Sequence, residues 1–251
     1  MNNLPEDIDA YVRQRIPEAL PARAYGVLRR AAEMAEEQGG ELYLVGGYVR
    51  DIFLKIPDYD IDVAVIGDAT ALAQRLAEEA GAQAEVHEVF GTAVLTFAGE
   101  TFDLDIVTAR SEMYEYPGAL PTVQPGTIAD DMARRDFTVN AMAVRILPDS
   151  VGVLFDPHEG LADLRSGLIR VLHDRSFIDD PTRLFRAVKL AVRLGGRVEV
   201  HTLELILQAV RDGVLATVSM DRITHELLLI MEEPRGEDVL AGLDKLGLLI
   251  G

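Results

Sequence analysis

Three aspartates at every second position, Asp58, Asp60 and Asp62, alternate with Tyr59, Ile61 and Val63 and run into the apolar stretch "VAVI". The segment lies between Pro57 and Gly67 and is rich in β-formers, so the pattern predicts a strand. Side chains alternate faces along a strand, which puts the three carboxylates on one side, where they repel one another. Oxygen ligands with no Cys or His beside them suit Mg²⁺, which takes a few carboxylates and completes its shell with water and substrate phosphates. A second acidic pair, Asp103 and Asp105 in "FDLDIVTA", lies on a predicted strand that could neighbour the first. Together the two strands could hold two ions for an in-line displacement at phosphorus. The alternative is an edge strand that uses charge against aggregation. That alternative suits Asp58 and Asp103 better than Asp60 and Asp62, whose flanking "VAVI" reads as buried.

Just upstream, "LYLVGGYVRD" (residues 42–51) reads as a strand that ends in Gly46–Gly47 and opens directly into a helix. Such a junction lets backbone N–H groups approach a phosphate, with Arg50 one turn inside the helix and able to reach the same anion. No Gly-Lys-Ser/Thr follows and the G-x-G-x-x-G spacing is missing, so neither a Walker loop nor a dinucleotide fingerprint is present. A bare Gly-Gly turn is usually only a turn; here the aspartate strand arrives ten residues later.

The chain has 251 residues, enough for one large or two modest domains, and it is 49% hydrophobic with 26% charged residues, as a globular protein is. No apolar run approaches the ~20 residues of a membrane span, and the N-terminus has no apolar signal-peptide core. The absence of Cys excludes a disulfide framework and a thiolate metal site, and makes a cytoplasmic location the expectation. A net charge of −18 argues against casual nucleic-acid binding. That charge is unevenly spread. Residues 130–199 carry 11 Lys/Arg and 11 Asp/Glu, and the remainder, with 13 basic and 31 acidic residues, holds the whole −18. An Arg-rich neutral stretch inside an acidic frame leaves somewhere for an anion to sit.

The elements that must position these groups follow from periodicity. "RAYGVLRRAAEMAEEQGG" is helical and stops at Gly39–Gly40; "DATALAQRLAEEAG" is a helix with Asp68 as N-cap. "AEVHEVF", "TAVLTFA" and "TFDLDIVTA" read as three strands joined by turns at Gly91 and Gly99–Glu100. "SEMYEYPGALPTVQPG" reads as a surface loop. From residue 170 only helical patterns remain, over about 180–194, 201–212, 219–232 and 236–247. The expected fold is α+β: a domain over residues 1–158 with a mixed, mostly antiparallel sheet, then an all-helical region over 159–251.

The order LVGGYVRD, DID, "RRDFTVNAMA" (residues 134–143), then "DPHEGLADLRSGLIRVLHDRSFIDDPTRLFRA" resembles the class II tRNA nucleotidyltransferase and poly(A) polymerase family, of the polymerase-beta nucleotidyltransferase superfamily. "RSEMYEYPGALPTVQPGTIADD" further resembles the branch that includes A-adding enzymes. The resemblance covers about residues 42–195 and implies a nucleotidyltransferase head followed by a helical neck. Asp60 and Asp62 match the metal-binding DxD, and Asp105 stands where a third catalytic carboxylate is often found. Gly47 and Arg50 match contacts to the incoming nucleotide, with Gly46 alongside. Arg135, next to Asp136, matches the RRD motif that handles phosphate and ribose. Asp180 and Arg183 match the motif that selects the base through its pairing edge, and Arg186 a further contact. Asn140 reads equally as a structural residue.

The residues of that last motif carry a reading of their own. Arg183, Arg186, Lys189 and Arg193 fall on one side of a predicted helix, with Leu184, Phe185, Val188 and Val192 on another and Pro181 in its first turn. Asp180 and Arg183, three apart, can orient each other, and an acceptor beside a donor can read cytosine and adenine edges without a template. A solvated charged face is the alternative. Asp179 stands where the family has Glu, and Lys189–Leu190 where it has Arg–Phe, so a contact at Lys189 keeps the charge but loses the planar fork. Asp156, Pro157, Gly160 and Asp163 match a family turn that closes the sheet domain onto the neck.

The resemblance implies template-independent addition of C and/or A from CTP or ATP to the 3′ end of tRNA, with pyrophosphate released and Mg²⁺, two ions, as cofactor. A poly(A) polymerase, a non-catalytic nucleotide-binding module that keeps the fold, and a transferase acting on protein or small molecule are the alternatives; two retained, mutually repelling carboxylates speak against the module. The family continues into body and tail helices that hold the acceptor arm, whereas this chain stops at "LGLLIG". The expectation is thus a fragment or a short relative that binds Mg²⁺–NTP but holds tRNA weakly.

Overall fold

In a computed structural model, residues 6–57 and 60–249 are described. Asp58, whose role the sequence left open, lies outside them, as does Tyr59. Two helices lead in: α1 (Ile8–Ala19), N-capped by Asp7, and α2 (Ala22–Glu37), which buries Val27, Leu28, Ala31, Met34 and Ala35. The first was not anticipated from its sequence; it carries Pro17 and presents only Val12 and Ile16 as fully buried positions.

The sheet follows. Strand β1 (Glu41–Val45) passes directly into α3 (Gly46–Leu54), then come β2 (Asp60–Ile66) and α4 (Ala69–Ala80). Asp68 caps α4 as expected, accepting from the backbone of Thr70 and Ala71 at 3.0 Å each. Next are β3 (Gln83–His87), β4 (Thr92–Thr96) and β5 (Asp103–Thr108), the three strands read from the sequence. With β1, β2 and two later strands, β8 (Ala143–Ile146) and β9 (Val151–Phe155), they form a seven-stranded sheet ordered β3-β4-β5-β2-β1-β8-β9. Strands β2 and β5 pair in parallel and the other neighbours are antiparallel, so the mostly antiparallel α+β expectation holds.

The segment expected as a surface loop is instead largely a two-stranded ribbon, β6 (Arg110–Met113) against β7 (Thr122–Pro125). Its prolines and glycines had argued for a loop, but Pro117 and Gly118 serve the tip and Pro125 ends an edge, where its missing N–H costs no ladder bond. Helix α5 (Ile128–Ala133) follows, opened by a reciprocal capping box between Thr127 and Asp130. Strands β8 (Ala143–Ile146) and β9 (Val151–Phe155) complete the sheet.

The helical part contains α6 (Gly160–Ser166), β10 (Leu168–Ile169), α7 (Ser176–Asp179), α8 (Arg183–Arg193), β11 (Arg197–Val198), α9 (Val200–Arg211), α10 (Met220–Met231) and α11 (Gly236–Lys245). Helix α8 starts at Arg183 rather than around Pro181, because Asp180 turns the chain first by accepting from the Thr182 backbone at 3.1 Å. The expected family turn is structural. Asp156 accepts from the backbone of Gly160 and Leu161 at 2.7 and 2.9 Å, and Asp163 binds Thr138 at 2.7 Å and Arg170 at 2.8 Å. A Cβ at Gly160 would stand 2.1 Å from the Thr138 carbonyl, so only glycine lets α6 pack this closely.

The two faces of the sheet differ. Ile61, Val63, Val65, Leu104 and Ile106 join a main core shared with α1, α2, α4 and the neck helices. The opposite face carries a smaller cluster of Tyr43, Val45, Ala64 and Ala143, packed by Ile128 and Met132 of α5. By strand alternation the aspartates belong to this second face.

Candidate active site

In the parallel β2–β5 pair, Asp60 stands opposite Asp103 and Asp62 opposite Asp105. Four carboxylates thus share one face at one end of two neighbouring strands, before the same face turns apolar at Ala64 and Val107. Burial, then the charges of Asp60 and Asp103, push the Asp105 carboxyl above its ordinary value. Mg²⁺, which the resemblance implies, needs hard oxygen donors and commonly takes one or two carboxylates plus phosphate oxygens. Asp60 and Asp62 fit that requirement. Among the described residues no group of three or more acidic or histidine side chains is gathered closely enough to hold an ion.

A cleft of about 600 Å³ opens in front of this pair. It is lined by Gly47, Arg50, Asp60, Asp62, Arg135, Asp180, Arg183, Arg186 and Lys189, nine of the eleven residues singled out from the sequence. The remaining two are Asp105, beside Asp62 on the neighbouring strand, and buried Gly46: its φ is +74°, and a Cβ there would meet Arg135 Nη1 at 2.4 Å and Asp62 Oδ2 at 3.7 Å. Glycine at position 46 therefore lets the β1–α3 junction, Arg135 and Asp62 converge.

Each cation in the cleft is held by an acid. Arg50, only 4% exposed, makes a bidentate pair with Asp51 at 2.7 and 2.8 Å, and it also donates to Asn140 Oδ1. Arg135 donates to Asp131 Oδ2 at 3.0 Å, and Arg134 to Asp131 Oδ1 at 2.7 Å. Burial works to raise the Asp131 carboxyl, but the charges of Arg135 and Arg134 and their hydrogen bonds bring it below the ordinary carboxylate range. Arg186 pairs with buried Asp136 at 2.7 Å while keeping 42% of its side chain open. Asp136 is likewise lowered: Arg186, the Asn140 amide and Arg183 outweigh the upward push of burial. Lys189 Nζ lies 3.7 Å from Glu226 on α10.

The Asp180–Arg183 pair, which the resemblance implies selects the base, is firmly built. Arg183 is 4% exposed and donates to Ser176 Oγ and to the Arg134 carbonyl, both at 2.8 Å. Asp180 accepts from Thr182 and from Arg222, and its Oδ2 is 4.0 Å from Arg183 Nε. The stripe Arg183, Arg186, Lys189 and Arg193 does face one side, as helical spacing implied, and all four line the cleft.

Sequence reasoning passed over several members. Asp131 holds both arginines of the RRD motif from three and four positions upstream, a spacing that was visible. Asn140, read from the sequence as equally a structural residue, bridges Arg50 and Asp136, the latter at 3.0 Å. Glu112 and Tyr114 lay in the supposed loop; Glu112 accepts from Arg134 at 3.0 Å and from Tyr114 at 2.9 Å, and burial with that carboxylate raises the tyrosine's pKa. Arg222 and Glu226 come from a helix with no local signal.

A family model described as the poly(A) polymerase head domain matches residues 42–170. The chain belongs to this family. It is 47% identical over 209 residues to an A-adding tRNA nucleotidyltransferase of Halalkalibacterium halodurans, covering 82% of the chain and 49% of that protein. Among solved structures, a CCA-adding enzyme in an apo form superposes with a TM-score of 0.87 at 36% identity, covering 94% of this chain and 56% of that one. A tRNA nucleotidyltransferase complexed with a primer tRNA and an incoming ATP analog gives 0.77 at 37% identity, over 87% and 61% of the respective chains. The chain spans about half the length of the first curated relative and about a quarter of two further A-adding ones. Among the described residues no helix is long and apolar enough to cross a membrane.

Proposed function

We propose that this protein transfers a nucleoside monophosphate, AMP in the first instance, from a nucleoside triphosphate to the 3′-hydroxyl of tRNA. The observation that carries this reading is the cleft itself: the DxD carboxylates on β2 face the Asp180–Arg183 pair of the neck across one cavity. Three A-adding relatives, 40–47% identical, favour adenosine over cytidine. In this reading residues 1–158 form the nucleotidyltransferase head and residues 159–251 the neck.

Asp60 and Asp62 would hold Mg²⁺, with Asp105 supporting them from the adjacent strand. When bound, such ions neutralise charge on the triphosphate and lower the pKa of the attacking hydroxyl. The chain's own residues do the positioning. Gly46–Gly47 bring the start of α3 close to the triphosphate, Arg50 and Arg135 offer donors to its oxygens, and Asp180 with Arg183 meets the pairing edge of the base. Arg186 and Lys189 add positive charge along the wall. The 3′-oxygen attacks the α-phosphorus, a new phosphodiester forms, and pyrophosphate leaves, with catalysis mostly by alignment and charge neutralisation.

The test is incubation of the protein with tRNA transcripts ending before the last A, and before the last CCA, with ATP or CTP supplied separately. Extension of the transcript lacking only A, with ATP alone, is the expected outcome. Incorporation of CTP into the shorter transcript would shift the assignment to C addition. Absence of nucleotide binding in the same preparation would refute a transferase reading altogether.

A further inference from the structure

The ribbon brings an aromatic ring to the cleft. Tyr114 follows β6 and Pro121 precedes β7, and both line the cavity. Among the described residues only Tyr48 and Tyr114 are aromatic members of its lining. Tyr48 is 3% exposed and belongs to the main core. Tyr114 is only partly buried, so it is the ring with surface to offer.

That ring is held in place. Its hydroxyl donates to Glu112 Oε2 at 2.9 Å, while Glu112 Oε1 accepts from Arg110 at 3.0 and 3.2 Å and from Arg134 at 3.0 Å. The ribbon is anchored at both ends: Arg110 donates to the Phe90 carbonyl at 2.8 Å, and the Gly118 N–H at the tip donates to the Ile178 carbonyl at 3.3 Å. Arg134 offers its own carbonyl to Arg183 at 2.8 Å, so Glu112 and Arg134 alone stand between the tyrosine and the Asp180–Arg183 pair. Burial and then the charge of Glu112 raise the pKa of the phenol; Arg183 acts against them and Asp180 with them, which places both members of the pair within electrostatic reach.

An acceptor and a donor at the rim of a base fix it within its own plane but leave its tilt free. A flat ring beside them sets the tilt, because every base has a π-face that stacks on an aromatic side chain whatever its edge carries. A ring already tied by its hydroxyl loses little further freedom when a base settles on it. We propose that Tyr114 is the platform on which the base of the incoming nucleoside triphosphate stacks while Asp180 and Arg183 meet its edge. The inference rests on the nucleotide-binding role given to the cleft above.

Titration of wild type, Y114F and Y114L with the Mg²⁺ complexes of ATP, CTP and inorganic tripolyphosphate tests it. Y114L is expected to weaken both nucleotides by roughly tenfold, the scale of one lost base–aromatic stack. Tripolyphosphate, which has no base, is expected to bind unchanged. Y114F keeps the ring and loses only the bond to Glu112, so its nucleotide affinities are expected close to wild type. Y114F as weak as Y114L overturns the proposal, because the hydroxyl rather than the ring would then matter. An equal loss for tripolyphosphate overturns it too, making Tyr114 merely structural. So does wild-type ATP and CTP affinity in Y114L; weaker binding of a tRNA transcript by that variant would then put the ring beneath the RNA's terminal base instead. Should Y114L fail to fold, Y114M, ringless and of similar reach, takes its place under the same criteria. A wild-type protein that holds ATP no more tightly than tripolyphosphate makes no base contact, and the platform falls while the phosphate site stands. Binding of neither would sink the nucleotide-binding reading and the platform with it.

Discussion

Replacing Asp131 by Asn tests the internal wiring of the cleft. The Asp131 side chain has no exposed surface, and its two oxygens accept from Arg134 at 3.0 and 2.7 Å and from Arg135 at 3.3 and 3.0 Å. Removing one member of a buried ion pair costs about 3–5 kcal/mol, because the partner is left uncompensated. Here the loss is softened: Arg134 retains Glu112 at 3.0 Å, Arg135 retains the Asn140 carbonyl at 3.4 Å, and the two side chains keep 17% and 16% exposure. An expected cost of about 2–4 kcal/mol corresponds to a melting temperature lower by roughly 5–15 °C for a chain of this size. The pH dependence carries a second signature. Since the folded-state carboxyl is held below its ordinary value, its stabilisation is present above about pH 4 and is lost as pH falls through the lower folded-state value. The gap between wild type and D131N should therefore be full at neutral pH and close on acidification. Thermal melts followed by circular dichroism between neutral and acid pH measure both, and Mg²⁺–ATP titration should show weaker binding as Arg135 loses its anchor. A D131N protein that melts within about one degree of wild type at pH 7 would refute the wiring.

Asp60→Ala and Asp62→Ala should each abolish nucleotide incorporation while the melting temperature holds or rises slightly, since each removes a like-charge pair directly across β2 and β5; near-wild-type turnover in either counts against the two-metal site. Gly46→Ala should cost about 1–2 kcal/mol for a side chain forced into the left-handed region and weaken ATP binding by displacing Arg135. By contrast, Gly26→Ala, inside α2 with open space where its Cβ would go, should gain roughly 0.5–1 kcal/mol; urea unfolding compares the two. Asp180→Ala or Arg183→Ala should erode discrimination among the four nucleotides far more than affinity for Mg²⁺–tripolyphosphate, and parallel loss in both measurements would reassign them as structural.

Local chemistry made much of this molecule legible. Alternation in "DIDVAVI" placed the aspartates on one face and the apolar run inside, and helical spacing aligned Arg183 with Arg186, Lys189 and Arg193, because both periods are fixed by backbone geometry. The Asp68 cap and the strand-to-helix junction at Gly46 were equally local. What stayed hidden depends on distance along the chain. Nothing near Arg222 or Glu226 announces that α10 packs beside α8 and supplies their partners. The ribbon from Arg110 to Pro125 has the composition of a turn and so reads as a loop, and the bonds that flatten it into two strands form between residues up to fifteen positions apart. Asp131 was within reach of the i, i+3 and i, i+4 rule but was overshadowed by the arginines it serves.

The net charge of −18 and the anion-binding role proposed for the cleft are reconciled by how the cleft's cations are held. Arg50 is fixed by Asp51, Arg135 by Asp131, Arg186 by Asp136, Lys189 by Glu226 and Arg222 by Asp180. An arginine in water must surrender side-chain freedom when it meets a phosphate; one already locked by a carboxylate has little left to lose. The acids lower the net field but fix the donors in place, and fixed donors are what a reaction that proceeds by alignment requires. On the proposed nucleotide-binding reading, the acids orient the cations from behind while a triphosphate would approach from the front. It follows that removing an acid should resemble removing its arginine. D136N should thus mimic R186M, and D131N should mimic R135M, in nucleotide affinity measured by the same titration. If the acid variants bound Mg²⁺–ATP more tightly, as a gain of net positive charge alone would dictate, charge rather than orientation would govern the site and this account of its acids would be wrong.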